Sequence, residues 1–153
     1  MLRKNSKTKA KVAGRRFAIV ASKYNAEYVD SMLNAARAEI ERAGGTVQVV
    51  RVPGAFEVPV IAAHLAAKDS KLRGIICLGV ILRGETDHAQ QIGNAVTSAL
   101  MEIQLQYGIP VIHEVLLLEN RAQAKVRCLS KDHNRGMEAA QTALQMARVI
   151  QSL

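Results

Sequence analysis

The chain has 153 residues, of which 49% are hydrophobic and 22% charged. This is ordinary globular composition in a length suited to one domain, which excludes general disorder and a pair of full domains. No apolar run approaches the ~20 residues of a bilayer span, and the charged start does not read as a secretory leader. The two cysteines, Cys77 and Cys128, sit in apolar contexts without metal-ligand spacing. Neither a disulfide framework nor a Cys-rich zinc site organises the fold, and a reduced, cytoplasmic protein is expected.

The formal net charge is +8. Residues 1–16 hold Arg3, Lys4, Lys7, Lys9, Lys11, Arg15 and Arg16 and no acid, and setting those seven aside leaves +1 for the rest. The basicity therefore belongs to an arm, residues 1–15, and the domain from residue 16 to 153 is nearly neutral. Such an arm reads as a nucleic-acid-binding tail or as a solvated terminus. No aromatic residue interleaves the charges to stack on bases, so the solvated terminus is preferred and nucleic acid is not the expected partner.

From Phe17 onward, short apolar runs alternate with longer amphipathic stretches. Phe17–Ala21 reads as a buried strand. A helix follows from about Glu27 to Ala43, with Tyr28, Met32, Ala35, Ala36 and Ile40 at helical spacing. Gly44-Gly45 supplies a left-handed stop. Thr46–Val52 is a second strand, Pro53-Gly54 a turn, and a helix runs on to about Ala67. Gly74–Leu82 is apolar throughout, as a central parallel strand should be. A long helix from Asp87 to Tyr107 and a fourth strand from Pro110 to Leu118 come next. Two helices, about Asn120–Cys128 and Gly136–Leu153, close the chain. This order implies a four-stranded parallel sheet with helices on both faces. Ligands of such sheets bind beyond the carboxyl ends of the strands, which selects the loops Ser22–Asn25, Pro53–Glu57 and Arg83–His88 and the segment after Leu118.

Tyr24 in the first loop either stacks on a planar ligand or caps the core. Gly54 in the second allows close backbone approach, and the amides that open the next helix can donate to a ligand. The third loop, Arg83-Gly84-Glu85-Thr86-Asp87-His88, precedes a helix start that favours an anion. It lacks the Gly-Lys-Ser/Thr ending of a P-loop. His88 falls in the first turn of that helix, where an imidazole suits proton transfer near neutral pH.

Val52-Pro53-Gly54-Ala55-Phe56-Glu57 and Leu82-Arg83-Gly84-Glu85-Thr86-Asp87-His88 resemble the two signature segments of the lumazine synthases. The resemblance extends from about Arg16 to Ala147. It implies a flavodoxin-like three-layer α/β/α sandwich, and an enzyme of the penultimate step of riboflavin biosynthesis. That reaction condenses 5-amino-6-ribitylaminouracil with 3,4-dihydroxy-2-butanone 4-phosphate, with no cofactor and no metal. Carried over residue by residue, Tyr24 matches the aromatic that stacks on the pyrimidine. Ala55, Phe56 and Glu57 match the segment that holds the ribityl chain and part of the ring. Val80, Ile81 and Leu82 match the strand end that reads the pyrimidine edge. Glu85 and Thr86 match the phosphate loop, and His88 the proton-transfer histidine. Arg127 matches an arginine that reaches the phosphate from a neighbouring subunit, and Lys131 and Arg135 fall where the family has lysines near that site.

The chain departs from the family pattern at several positions. His113 stands where a Phe usually covers the ring from the neighbouring subunit. Ala89 replaces a residue that is commonly aromatic, Leu117-Leu118 replaces a polar pair, and Leu129–Arg135 replaces a Gly-rich stretch. No carboxylate or thiol at ligand spacing joins His88 and His113, so the pair does not imply a metal. The resemblance also implies a homo-pentamer, with twelve rings able to close into a shell of sixty, and a riboflavin synthase as a further partner. The long helix has more apolar and small residues (Ile92, Ala95, Val96, Ala99, Leu100 and Ile103) than one sheet-facing stripe needs, which suits a second face against another subunit. The alternative is a non-catalytic flavin- or lumazine-binding or shell-forming protein on the same scaffold.

Overall fold

A computed structural model of the chain describes residues 15–153, and the basic arm up to residue 14 lies outside the described residues. Four strands, β1 (Arg16–Ser22), β2 (Thr46–Val52), β3 (Leu72–Leu82) and β4 (Val111–Leu118), form one parallel sheet in the order β2-β1-β3-β4. Between them run α1 (Ala26–Arg42), α2 (Val58–Lys68) and α3 (His88–Tyr107). A four-residue α4 (Arg121–Ala124) and the long α5 (Arg135–Gln151) complete the chain. The expected element order and sheet direction hold throughout.

Alternation along the central strands divides the core in two, since successive side chains point to opposite faces. Phe17, Ile19 and Ala21 with Ile76, Leu78 and Val80 pack against α1 and α5. Ala18 and Val20 with Ile75 and Cys77 pack against α2 and α3. Covered on both sides, the inner parts of β1 (Phe17–Ala21) and β3 (Gly74–Leu82) are apolar without interruption, and polar residues (Arg16, Ser22 and Arg73) appear only toward the strand ends. Burial pushes the Cys77 thiol up to about 12, so it behaves as a small apolar side chain.

The stop after α1 is a Schellman arrangement. The Gly44 amide donates to the Glu41 carbonyl and the Gly45 amide to that of Ile40. Gly44 carries the left-handed conformation, with φ of 88°. Gly45 does not, and its expected left-handed role is corrected: among the described residues only Asn25, Gly44 and Gly108 have positive φ. The helix expected over Asn120–Cys128 is also different in kind. After α4 the chain widens into a π-turn, Lys125–Leu129, which turns Cys128 into the core and leaves Arg127 outside.

Leu117 and Leu118, which depart from the family pattern, are packing residues. Leu118 is buried with the α1/α5 face, while Leu117 packs against the α2/α3 face. The helix α5 lies close on α1 through small residues, Ala139, Ala140, Ala143 and Ala147, and through Gly136 in its first turn. Among the described residues no helix is long and apolar enough to cross a membrane.

Candidate active site

Beyond the carboxyl ends of β1, β2 and β3 opens a cavity of 570 Å³. Its position follows from how the loops are tied. The Lys23 amide donates to the Val52 carbonyl at 2.8 Å and the Tyr24 amide to that of Pro53 at 3.1 Å, joining the first loop to the second. Asn25 adopts the left-handed conformation, which asparagine tolerates, and its side-chain amide donates to the Val80 carbonyl at 2.8 Å. The first loop is thereby bound to the end of β3. One lone pair of that Val80 oxygen is thus already engaged, although Val80 belongs to the strand end matched to pyrimidine recognition.

Tyr24 is 74% exposed and Phe56 63%, and both line the cavity. Tyr24 therefore does not cap the core. Two exposed aromatics lining one concave site offer stacking surface for a planar ring. Phe56 sits in a single 3-10 turn, Ala55–Glu57, that precedes α2, where the first amides lack intrahelical partners. Gly54 is extended, with φ of −138°, so it serves by leaving space. A Cβ there would meet the Glu57 carboxylate at 3.6 Å.

The third loop forms the other bank. Arg83 acts as a strut: its guanidinium donates to Glu119 and to Gln90, each at 2.9 Å, and its amide to the Leu118 carbonyl. Gly84, Thr86 and His88 face the cavity. His88 is the first residue of α3, and its amide donates to the Thr86 hydroxyl at 3.4 Å. Ala89 and Ile92, one turn along, floor the cavity with apolar surface.

Of the matched residues, Tyr24, Ala55, Phe56, Glu57, Val80, Ile81, Leu82, Thr86 and His88 share this one cavity. Glu85, His113 and Arg127 do not line it. Asn25 and Arg121 do, and sequence reasoning had singled out neither. Asn25 could have been suspected, since Asn before a helix commonly takes a turn conformation. Nothing in the spacing marks Arg121.

His113 stands on the edge strand β4. The Val115 amide donates to its Nδ1 at 3.1 Å, and Nε2 lies 2.8 Å from the Thr97 hydroxyl. An Nδ1 that accepts must be unprotonated, so the ring is the neutral Nε2–H form, donating to Thr97. Desolvation between β4 and α3 lowers its pKa from the ordinary 6.5, in the same direction.

Arg127 opens onto a second hollow, of 540 Å³, with His133, Arg135 and Glu138. Arg135 is engaged there: Nε lies 3.2 Å from Glu114 and Nη1 3.1 Å from Glu138. Lys131 is exposed and does not line this hollow. Glu114 is buried, and desolvation pushes its pKa up to about 7, against the pull of Arg135. A folded-state pKa raised from 4.5 to about 7 means that the native state holds this proton longer than the unfolded chain does. Its contribution to stability is full below pH 4.5 and is lost as pH rises through about 7. The lowered His113 has the opposite sign, costing stability as pH falls below 6.5. Glu114→Gln removes the first contribution alone. Thermal unfolding at fixed protein concentration is expected to show the variant gaining on the parent between pH 5 and pH 8. Parallel curves would show that Glu114 ionises in the fold as it does in water.

The chain is thus a three-layer, flavodoxin-like α/β protein with its cavity where that class places ligands. The model of the family described as 6,7-dimethyl-8-ribityllumazine synthase matches residues 14–151. A 6,7-dimethyl-8-ribityllumazine synthase from Desulfotalea psychrophila is 38% identical over 146 residues, covering 94% of each chain. Those from Stenotrophomonas maltophilia and Xanthomonas euvesicatoria are each 37% identical over 141 residues, covering 90% of this chain and 90% and 91% of their own. The chain belongs to the 6,7-dimethyl-8-ribityllumazine synthase family.

Proposed function

We propose that the chain condenses 5-amino-6-(D-ribitylamino)uracil with 3,4-dihydroxy-2-butanone 4-phosphate to 6,7-dimethyl-8-ribityllumazine, the penultimate step of riboflavin biosynthesis. The observation that carries this reading is the convergence of Tyr24, Phe56 and His88 on one cavity at the strand ends. Stacking on Tyr24 and Phe56 holds the pyrimidine, with Ala55 and Glu57 at the ribityl chain and the Val80–Leu82 strand end at the ring edge. The 5-amino group adds to the ketone and water leaves, giving an imine. Inorganic phosphate is then eliminated, and attack by the ribityl-bearing nitrogen closes the ring with loss of a second water. Each step moves protons, and His88 serves them as acid and base. Thr86, with Glu85 in the same loop, faces the phosphate at the start of α3, where helix amides favour an anion. Much of the remaining acceleration comes from holding two reactants in one place.

His113 and Arg127 lie outside the cavity of their own subunit, which supports a site completed by a neighbour. His113 then covers the ring as a neutral imidazole, and Arg127 reaches the phosphate. On α3, Val96, Leu100 and Ile103 are buried, while Met101 is 53% and Leu105 75% exposed. These exposed apolar residues suit a second, intersubunit face. The reading is a ring of five, able to close into a shell of sixty, a closed assembly of head-to-tail contacts. It includes a riboflavin synthase as consumer of the product, and a cytoplasmic setting in which both cysteines stay free and buried.

The test supplies both substrates to the purified protein and follows lumazine by absorbance and fluorescence. Ligand binding without product would overturn the proposed activity and favour a binding protein. Mass measurement in dilute buffer separates ring from shell, and an active monomer would refute the shared site. Arg127→Ala is expected to raise KM for the butanone phosphate about ten- to hundredfold, the worth of a charge-assisted hydrogen bond. An equal rise for the pyrimidine would make Arg127 a structural residue.

A further inference from the structure

We propose that Arg121 is a second phosphate-binding residue, contributed to the cavity by the same subunit that carries Tyr24, Phe56 and His88. This rests on the reading of the cavity given above. Arg121 lines that cavity together with Gly84, Thr86 and His88. Among the described residues that line the cavity it is the only arginine or lysine, and Glu57 is the only carboxylate.

The charged groups described around it are engaged with one another. Arg83, the other arginine of this bank, is engaged by Glu119 and Gln90. Glu119, two residues before Arg121, is thereby drawn to Arg83. The main chain that carries Arg121 is tied down on both sides. The Gln123 amide donates to the Asn120 side chain, and the Glu119 amide to the Gln123 side chain, each at 2.9 Å. Among the described residues, the Arg121 side chain has no hydrogen-bond or ion-pair partner. A fixed root with an unengaged fork, lining the same cavity as the Thr86 hydroxyl and the first residue of a twenty-residue helix, is an arrangement suited to gripping a phosphate monoester. A guanidinium there would hold the departing phosphate even before a neighbour's Arg127 closes on it, and would discriminate against the unphosphorylated ketone.

The experiment titrates the full-length, assembled protein with inorganic phosphate by calorimetry, for the parent, Arg121→Ala and Arg121→Lys. The alanine variant is expected to bind about tenfold more weakly. Lysine should recover part of the loss, since it restores the charge without the fork. In steady-state kinetics KM for the butanone phosphate should rise by a similar factor, and KM for the pyrimidine by less than about twofold. Phosphate affinity unchanged in Arg121→Ala, or equal rises in both KM values, overturns the proposal. Should the parent form no lumazine while Arg121→Ala still loses phosphate, the proposed reaction falls and the anion site stands.

Discussion

Replacing His88 by alanine is expected to lower turnover about 100- to 10,000-fold, the usual worth of a general acid–base group, and to leave the fold intact. The two halves of this expectation have separate grounds. His88 is exposed and its imidazole has no hydrogen-bond partner among the described residues, so its removal opens no core cavity. Its place at the first position of α3, in the cavity that Tyr24 and Phe56 also line, puts the ring where the proposed reaction would move protons. Lumazine formation measured beside the thermal midpoint checks both. Unchanged turnover would dismiss His88 from the chemistry. A collapsed midpoint would show that the loop needs the ring for its shape.

The largest effect on stability is expected from Gly136→Ala. A Cβ at that position would lie 2.0 Å from the Met32 carbonyl oxygen and 2.5 Å from its carbonyl carbon and Cα. Those are backbone atoms of α1, so no flexible side chain can swing aside. Helix propensity alone predicts a gain of roughly 0.5–1 kcal/mol for glycine to alanine. Overpacking costs typically 1–3 kcal/mol and occasionally more, and contact with backbone places this change at about 3 kcal/mol or beyond. At roughly 2–4 °C per kcal/mol for a domain of this size, the midpoint should fall by about 10 °C. Gly93→Ala in α3 is the control: its Cβ would meet nothing closer than Leu117 Cδ2 at 3.6 Å, and the midpoint should hold or rise. If both variants behave alike, α5 is free to slide away from α1.

Gly136 also shows where sequence reading stops. It is the start of the last helix in the amino-acid pattern, and nothing local distinguishes it from a helix-entry glycine. The need for glycine comes from Met32, 104 residues earlier, through the approach of two helices. The order of elements was legible because Phe17–Ala21 of β1 and Gly74–Leu82 of β3 are unbroken apolar runs and α1 repeats its apolar residues at helical spacing. Most of the cavity was legible because parallel topology sends the first three loops to one end of the sheet. The π-turn at Lys125–Leu129 was not, since a helix and a widened turn share the same short-range pattern. Arg121 was not, because a lone arginine after a strand looks like any solvated residue until the cavity is seen beside it. His113 was read as the ring-covering residue, and only its bonds to Val115 and Thr97 reveal which tautomer it carries.

Those bonds have a consequence for how this molecule meets others. Among the described residues β4 has no strand on its far side, and an outer strand normally offers a row of amides on which a foreign chain can zip itself. Here the Val115 amide is closed by its own strand's His113, and the Val111 amide is closed by Gln104 of α3 at 3.0 Å. The border is thus latched by side chains at two of its four outward amides. A chain that added itself along β4 would therefore find every second outward amide already engaged, and would have to open both latches to pair along the whole strand.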